Sequence, residues 1–332
     1  MIMTKTLLVD GDNLFKIGFH GVKDLFNESE HVGGIFHFIN TLRKFLEEHD
    51  HDKVVVFWDA ESNSSARKLL YPEYKANRRQ SMMDFKYESY LQQKQRVKEY
   101  LEEVFVRQVE MFGNEADDLI AYYTQICEDE QVIIFSADKD LTQLISKRVT
   151  IYSPVQKKYF KFGDKIKMGS IEIPHHNVMV YKVLTGDKSD NIDGIKLFGE
   201  KSMLKFFPQM IDKPCTIDEI IDSAREIEQK SKIKLITNLL TGTTKRGILG
   251  EEYFITNQKL VDLQQPLISD EGKQIVEQIY NDVFDPENRG YKNLMKMMVA
   301  DGLFKFLPKN DEAWVNFVKP FMKLIRKEKR KI

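Results

Sequence analysis

The run TLLVD, residues 6–10, decides the fold together with two similar runs, KVVVFWD at 53–59 and QVIIFS at 131–136. Each run is short, apolar and rich in β-branched residues, which is typical of a buried strand. Helical patterns lie between and after them, at 33–48, about 85–110, 116–129 and 140–147. Because strands alternate with helices, the sequence predicts an α/β protein with a mostly parallel central sheet flanked by helices.

The second half of the chain has a different pattern. VTIYSP (149–154) and KKYFKF (157–162) predict a β-hairpin that turns at Val155-Gln156. After about residue 178 the pattern is mostly helical, and LTGTTKRG at 240–247 predicts an exposed loop. The length of 332 residues allows one large domain or two of ordinary size.

The composition is 42% hydrophobic and 30% charged, so the chain can bury a core. No apolar run is long enough to span a membrane, and the first residues lack the pattern of a secretory signal. Cys127 and Cys215 have neither the spacing of a zinc site nor the density of a disulfide framework. We therefore expect a cytoplasmic protein with reduced thiols and no membrane partner.

Nine carboxylates recur where a predicted strand ends or a helix begins. They are Asp10, Asp59, Glu115, Asp117, Asp118, Asp138, Asp140, Asp187 and Asp190. The carboxyl ends of parallel strands border the functional crevice of an α/β sheet, so these acids could meet in one pocket. So much like charge needs a neutralising cation, and hard ions such as Mg²⁺ and Mn²⁺ prefer oxygen ligands. The pattern therefore predicts a divalent metal site.

Ordinary structural roles explain the same acids one at a time. An aspartate after a strand is commonly a turn or cap residue. Asn114 could cap the helix that begins near Ala116, with Asp117 completing a capping box, and Ser136 could cap the helix at 140. These roles do not explain why paired acids recur at successive strand and helix ends.

The charge balance and one basic segment favour a polyanionic partner. The formal net charge is −1, but setting the nine acids aside leaves 42 acidic against 50 basic residues. The segment RKLLYPEYKANRRQ, residues 67–80, combines five basic residues with Tyr71 and Tyr74. Basic side chains contact phosphates and aromatic rings stack on unpaired bases, so this segment favours nucleic-acid binding over a plain solvated surface.

The segment GDKSDNIDGIKLFGEKS, residues 186–202, combines two kinds of group. Asp187 and Asp190 open it, and Gly194 and Gly199 flank an apolar turn. A glycine turn between helices exposes backbone N–H groups, and a helix N-terminus can bind a phosphate. The segment therefore predicts a phosphate-binding hairpin beside a metal site, although an ordinary turn between helices would have the same features.

Taken in order, VDGDNL, FWDA, YKANRR, EADD, SADKDLTQL and GDKSDNIDGIKLFGEKS resemble the flap endonuclease/5′-nuclease superfamily over roughly residues 5–205. YSPVQKKYFK and NQKLVDLQQPLI are similar to the phage-type ribonuclease H. The resemblance implies a structure-specific 5′-nuclease, with 5′→3′ exonuclease and flap endonuclease activity. It implies hydrolysis of RNA or DNA 5′ ends on duplex DNA, and removal of RNA primers during phage DNA replication.

The resemblance also implies residue roles for two Mg²⁺ ions, which Mn²⁺ could replace. Ligands of the first ion would be Asp10, Asp59, Glu115 and Asp117. Ligands of the second would be Asp138, Asp140, Asp187 and Asp190, with Asp118 acting directly or through water. Lys75 and Arg78 would face the scissile phosphate as catalytic cations. The nucleic-acid-binding residues would be Tyr74, which would stack on a base, together with Arg79, Lys196, Lys201 and Ser202.

The implied organisation is a catalytic domain over 1–180 and a helical DNA-binding region over 181–332. The first would contain a basic arch at about 75–110, mobile at about 80–95, and the second a glycine hairpin at 194–202. Implied partners are DNA or RNA–DNA hybrid with a 5′ end or flap, and replication proteins such as a single-strand-binding protein or a sliding clamp. The basic tail at 319–332, with Phe321, Leu324 and Ile325 on one helix edge, would be a phosphate contact, a docking segment or a solvated helix end.

Two residues depart from the family pattern. Asp193 stands where relatives usually have proline, and Leu197 where they have glycine in the hairpin. Leucine disfavours positive φ, which argues against the family's turn and against the K⁺ site that some relatives have there. Asp12 is an additional acid that would line the pocket without binding metal.

Two other functions compete with the nuclease. Asp10-Gly11-Asp12 resembles the nucleophile motif of haloacid-dehalogenase-type phosphatases, in which Asp10 would be phosphorylated and Asp12 would be the acid. That family needs Thr or Val where Leu14 stands, and it leaves Asp59 unexplained. The other alternative is a nucleic-acid-binding scaffold with an inactive site, although every matched acid is present.

Overall fold

The three apolar runs form the centre of a six-stranded sheet in the computed structural model, which describes residues 3–77, 85–281, 290–310 and 312–328. The strands are β1 (Thr4–Asp10), β2 (Phe26–Asn27), β3 (Glu30–His31), β4 (Lys53–Trp58), β5 (Arg107–Glu110), β6 (Glu130–Phe135), β7 (Val149–Ser153), β8 (Lys158–Phe160), β9 (Lys165–Met168), β10 (Ile171–Pro174), β11 (Gly186–Asp187), β12 (Ile192–Asp193), β13 (Thr243–Thr244) and β14 (Gly247–Ile248). The sheet has the order β5-β4-β1-β6-β7-β8, and only β8 in it is antiparallel to its neighbour. The predicted α/β class with a mostly parallel sheet is confirmed.

Helices surround this sheet and make up most of the chain after residue 178, as predicted. They are α1 (Gly11–Gly21), α2 (Gly33–Glu48), α3 (Ser65–Leu70), α4 (Phe85–Glu103), α5 (Ala116–Ile126), α6 (Val178–Thr185), α7 (Glu200–Phe206), α8 (Gln209–Asp212), α9 (Ile217–Lys230), α10 (Lys234–Leu240), α11 (Glu251–Val261), α12 (Asp270–Asn281), α13 (Tyr291–Ala300) and α14 (Ala313–Glu328). Short 3₁₀ helices cover Asp140–Leu144, His175–Asn177 and Leu303–Phe306. The predicted loop at 240–247 contains the β13–β14 hairpin instead.

The sheet is buried on both faces because the side chains of each strand alternate between them. Leu8 pairs with Val55 on one side and Ile134 on the other, and all three belong to the hydrophobic cluster that contains α5 and α6. Leu7 and Val9 point the other way, into the cluster that contains α1, α2 and α4. This double coverage places the functional edge of the sheet at the carboxyl ends of its strands.

The predicted arch at about 75–110 is too long. Arg107–Glu110 is a strand of the central sheet, and Val97, Tyr100 and Leu101 of α4 are buried in the second cluster. The residues 78–84 lie outside the described part of the chain, so the mobile segment expected at about 80–95 is described only from residue 85 onward, as helix.

The predicted boundary at residue 180 lies inside α6 and stays a prediction. The first hydrophobic cluster runs across it, because Leu8, Ile236 and Val276 all belong to that cluster. The apolar edge of the tail is also covered, since Phe321 and Leu324 are buried in the second cluster. That edge is therefore not free to dock a partner. Within the described residues, no helix has the length and apolar character needed to cross a membrane.

A buried ion pair fixes the beginning of two central strands. The Lys53 ammonium donates to Glu130 at 2.8 Å, to the Tyr123 hydroxyl at 3.1 Å and to the Tyr280 carbonyl at 3.1 Å. Both Lys53 and Glu130 are buried, so each charge depends on the other and on these hydrogen bonds.

Lys53→Ala should lower the free energy of unfolding by about 3 kcal/mol, because it leaves the buried Glu130 carboxylate without a countercharge. Urea denaturation followed by circular dichroism measures this change. Lys165→Ala, which breaks the more exposed Lys165–Asp212 pair, is the matched control and should change stability by less than about 0.5 kcal/mol. Equal effects of the two substitutions would contradict a structural role for the buried pair.

Candidate active site

A polar cavity of about 170 Å³ lies at the carboxyl ends of the central strands. Seven of the nine predicted ligands line it, namely Asp10, Asp59, Glu115, Asp117, Asp138, Asp140 and Asp190. Asp12 and several cations complete the polar wall, namely Lys16, Arg67, Lys75 and Lys182. The structure therefore brings most of the predicted acids together, whereas Asp118 and Asp187 lie outside this lining.

A chain of hydrogen bonds positions the acids that follow β1 and β6. Asp10 caps α1 by accepting from the Asn13 N–H at 3.0 Å, and it also accepts from the Ser136 hydroxyl at 2.8 Å. The Ser136 oxygen in turn accepts from the Asp138 N–H at 3.0 Å, and Asp138 accepts from the Asp140 N–H at 2.9 Å. Ser136 thus links the acids of two strands, a role that its predicted capping position did not indicate.

On the other side of the cavity, Asp59 is held by the start of α5. It accepts from the Ala116 N–H at 3.0 Å, so the acid after β4 satisfies a free donor at the helix N-terminus. The Asp59 N–H donates to Asp12 at 2.7 Å. Asp12 also accepts from the Lys94 ammonium at 2.9 Å through both oxygens, so it is a positioning residue beside the site.

The pKa values of the acids reflect their crowding. Burial raises the pKa of Asp10 to about 7, against hydrogen bonds from Asn13 and Ser136 that lower it. Desolvation in the cavity, together with the Asp138 charge, raises the pKa of Asp140 to about 7 and that of Asp117 well above its ordinary value. Full ionisation of the pocket is therefore unfavourable unless a cation offsets the repulsion.

Lys182 is a cation of the cavity wall that the sequence did not predict. Its ammonium lies between Asp140 and Asp187 and pairs with both. These two charges raise the lysine pKa above its usual range although burial opposes this, and Lys182 lowers the pKa of Asp187 to about 2. The sequence feature that could have identified Lys182 is its position on α6, one helical turn before Gly186-Asp187.

Lys75 lies on the cavity wall, whereas Tyr74 does not have its predicted role. The Lys75 ammonium pairs with Glu115 at 2.9 Å on the cavity wall. The Tyr74 side chain is only 2% exposed, and its hydroxyl donates to Glu115 at 3.2 Å and to Asp190 at 3.1 Å. Its ring is therefore not available to stack on a base, and that prediction is wrong.

Asp118 is a structural acid and not a ligand in this arrangement. It is 0% exposed, and its two oxygens accept from the Arg67 guanidinium, one of them at 3.0 Å. The Leu267 N–H donates to the same carboxylate at 3.0 Å. Arg67 is likewise buried and lies 3.4 Å from Glu115, so the sequence was wrong to place it on a nucleic-acid surface.

The predicted nucleic-acid residues of the glycine hairpin lie at the surface. Lys196 and Lys201 are exposed, and the half-buried Ser202 donates its hydroxyl to the Leu197 carbonyl at 3.2 Å. Leu197 adopts a φ of 71°, so the turn with positive φ forms in spite of the missing glycine. Arg78 and Arg79 lie outside the described residues.

The donor chemistry of the cavity matches a divalent ion, but the acids are not arranged as ligands. Within the described part of the chain, no three Asp, Glu, His or Cys side chains converge closely enough to hold a metal. Lys75 and Lys182 explain this, because their ammonium groups occupy the oxygens of Glu115, Asp140 and Asp187. The all-oxygen donor set is of the kind that Mg²⁺ or Mn²⁺ prefers.

Without divalent ions, the protein should lose stability as the pH rises from about 4 to about 7. Folded Asp10 keeps its proton up to about pH 7, whereas the unfolded chain releases it near the ordinary value of 3.8. The stabilising contribution is thus complete below about pH 4, decreases as the pH rises, and is lost once the pH exceeds about 7. Asp10→Asn should remove part of the decline, on the order of 2 kcal/mol.

Thermal melts in EDTA across this pH range measure the effect, with the exposed Asp24 as the control in Asp24→Asn. The control should decline as the wild type does. An Asp10→Asn protein that declines just as steeply would contradict the assigned crowding.

Comparisons with known proteins agree with this geometry. Residues 5–169 match the 5′–3′ exonuclease N-terminal, resolvase-like domain. The thermostable DNA polymerase I of Thermus aquaticus is 35% identical over 208 residues, which are 62% of this chain and 24% of that protein. The chain thus spans about a quarter of the length of that polymerase. A 5′–3′ exonuclease of Halalkalibacterium halodurans is 29% identical over 270 residues, 77% of this chain and 82% of that protein.

Solved structures show the same fold. The T5 D15 protein co-crystallised with metal ions has a TM-score of 0.62 at 20% identity, covering 88% of this chain and 99% of that one. The T5 5′-exonuclease with bound zinc has a TM-score of 0.61 at 20% identity, covering 90% of this chain and 98% of that one. The chain therefore belongs to the flap endonuclease/5′–3′ exonuclease superfamily.

Proposed function

We propose that this protein is a divalent-metal-dependent 5′-nuclease that hydrolyses phosphodiester bonds at the 5′ ends or flaps of nucleic acid on duplex DNA. The observation that carries the proposal is the convergence of seven predicted ligands on one cavity, beside exposed lysines of a helix–hairpin connection. The similarity to a bacterial 5′–3′ exonuclease and to the T5 D15 protein co-crystallised with metal ions supports this proposal.

In this proposal, the acids divide into two sets around the cavity. Asp10, Asp59, Glu115 and Asp117 hold one ion, and Asp138, Asp140, Asp187 and Asp190 hold the other. The ions are Mg²⁺, or Mn²⁺ in its place, and when bound they supply Lewis acidity towards water and the phosphoryl group. Arg67 and Asp118 support the position of Glu115, because the Arg67 guanidinium contacts both acids.

Lys75 acts on the substrate in this proposal. Its backbone N–H donates to the Asp190 carbonyl at 2.9 Å, so the residue is tied to the opposite wall of the cavity. The Lys75 ammonium on the cavity wall would face the scissile phosphate and offset the negative charge that develops there in the transition state. Arg78 and Arg79 would extend this cationic side.

The glycine hairpin at 194–202 binds the duplex through phosphates in this proposal. Lys196, Lys201 and the N-terminus of α7 around Ser202 provide the contacts, without base preference. Leu197 adopts a positive φ, so the missing glycine does not prevent this turn, and a K⁺ ion there stays a prediction from the resemblance. Primer removal in phage replication, a cytoplasmic location and docking to a single-strand-binding protein or a sliding clamp stay predictions from the resemblance.

The phosphatase alternative is weaker because Asp12 is already engaged. Both of its oxygens accept from Lys94 and one also accepts from the Asp59 N–H, so it is poorly placed to deliver a proton to a leaving group. The inactive scaffold is weaker because every matched acid is present and seven of them share the cavity.

Asp138→Asn should reduce cleavage of a 5′-labelled flap by at least about 100-fold while leaving duplex binding and folding intact, because it removes a ligand but not a core contact. The assay uses Mg²⁺, flap DNA and an RNA–DNA hybrid. Wild-type protein should release products with a 5′ phosphate and lose activity in EDTA. Asp24→Asn is the matched control and should cleave normally.

The other outcomes separate the alternatives. Cleavage that continues in EDTA, or an Asp138→Asn protein as active as the wild type, would contradict the metal-dependent mechanism. Binding without cleavage would favour the scaffold. Hydrolysis of a phosphomonoester with no attack on the flap would favour the phosphatase.

Lys75→Ala should lower the single-turnover rate at saturating DNA by roughly 100-fold and change the Kd much less, because its charge acts mainly on the transition state. Rapid-quench measurements give the rate and fluorescence anisotropy gives the Kd. Lys68→Ala, in the same basic segment but outside the cavity lining, should leave the saturated rate unchanged. A loss of affinity with a normal saturated rate would make Lys75 a positioning contact only.

A further inference from the structure

Leu197 combines two unfavourable features in the glycine hairpin. Its φ is 71°, in the left-handed region where a leucine is strained, and its side chain is 61% exposed. Burial therefore does not compensate the strain, and glycine would adopt the same turn more easily. Strained backbone conformations that do not contribute to stability are concentrated at functional sites. We therefore expect a function for the exposed Leu197 side chain.

Two more exposed apolar residues lie on the adjoining hairpin. Ile248 is 73% exposed and Leu249 is 45% exposed. The Lys196 N–H donates to the Thr243 carbonyl at 2.9 Å, and Thr243 pairs with Ile248 across the β13–β14 hairpin. Leu197, Ile248 and Leu249 thus belong to two turns that are hydrogen-bonded together, and we call these three residues the apolar ridge.

The second hairpin is fixed to the segment that directly precedes Tyr74 and Lys75 of the cavity wall. Arg246 pairs with Glu73, lies 3.0 Å from Asp193, and has its guanidinium 4.8 Å from the centre of the Tyr71 ring. Asp193 is the acid that stands where relatives usually have proline. These contacts hold the ridge in one place relative to Lys75, because Glu73 and Tyr71 belong to the same turn.

Cations surround the apolar ridge. Lys196 precedes Leu197, Lys201 lies in the first turn of α7, and Lys245 lies at the tip of the second hairpin, and all three are exposed. The Ser202 hydroxyl bonds the Leu197 carbonyl and so holds that turn of α7 against the ridge. An apolar centre with positive charge around it is complementary to a duplex, whose sugars are apolar and whose phosphates are anionic.

We propose that the apolar ridge packs against the deoxyribose edges of a DNA duplex while Lys196, Lys201 and Lys245 contact the flanking phosphates. This inference rests on the proposed function, and it adds the β13–β14 hairpin as a second duplex-binding element. Apolar side chains that enter the minor groove are a known way to bind DNA without reading its sequence. The strained Leu197 backbone is then retained because it aims a side chain that glycine lacks.

The test compares Leu197→Gly, Ile248→Ser and the double variant, with Ile255→Ser as the control at another exposed isoleucine on α11. Leu197→Gly should raise the Tm by about 2 °C because the strain is relieved. The same variant should weaken binding to a blunt duplex roughly fivefold, because apolar surface is lost from the contact. Ile248→Ser should weaken binding similarly, and the control should bind as the wild type does.

Binding is measured by anisotropy in EDTA, so it does not depend on catalysis. If Leu197→Gly binds the duplex as tightly as the wild type or more tightly, and Ile248→Ser also binds normally, the ridge does not contact DNA and the inference is wrong. Normal duplex binding by both variants is also the result expected if the ridge contacts a protein partner instead of DNA. Failure of the wild type to bind or cut any duplex would instead overturn the proposed function.

Discussion

Repulsion between carboxylates is the constraint on which the rest of the site depends. The three central strands each lead into an acid at the same edge of the sheet, Asp10, Asp59 and Asp138, because parallel strands end together. Burial in that position raises the free energy of an ionised carboxylate, and the surrounding structure offsets this cost in two ways. Hydrogen bonds from Asn13, Ala116 and Ser136 hold individual carboxylates, and lysines pair with several of the others.

The sequence predicts the acids well because each follows a strong strand signal or a helix start. The parallel direction of the strands, and therefore the convergence of their carboxyl ends at one edge, follows from the alternation of strands and helices. The sequence does not predict which of the acids face the cavity. Asp117 and Asp118 are adjacent on α5, so they point in different directions, and only Asp117 lines the cavity. The partner of Asp118 is Arg67, 51 residues away, and a single sequence cannot indicate that contact.

Local composition misled the interpretation of the basic segment. Tyr74 and Arg67 have the chemistry of nucleic-acid contacts, but tertiary packing buries both of them. The same limit applies to the helical pattern expected at about 85–110, because periodicity cannot distinguish an arch helix from one whose far end packs on α2. The buried Val97, Tyr100 and Leu101 decide this in favour of the core.

The bridge that Lys182 makes between Asp140 and Asp187 links two binding events. If Asp140 and Asp187 hold a metal ion, as proposed, they would no longer pair with the Lys182 ammonium, and that charge would need another anion nearby. A phosphate in the cavity provides one. Metal and nucleic acid would each improve the affinity for the other by the same factor, as thermodynamic reciprocity requires. Under the proposed function, this lysine would make the affinity for ions depend on the presence of substrate.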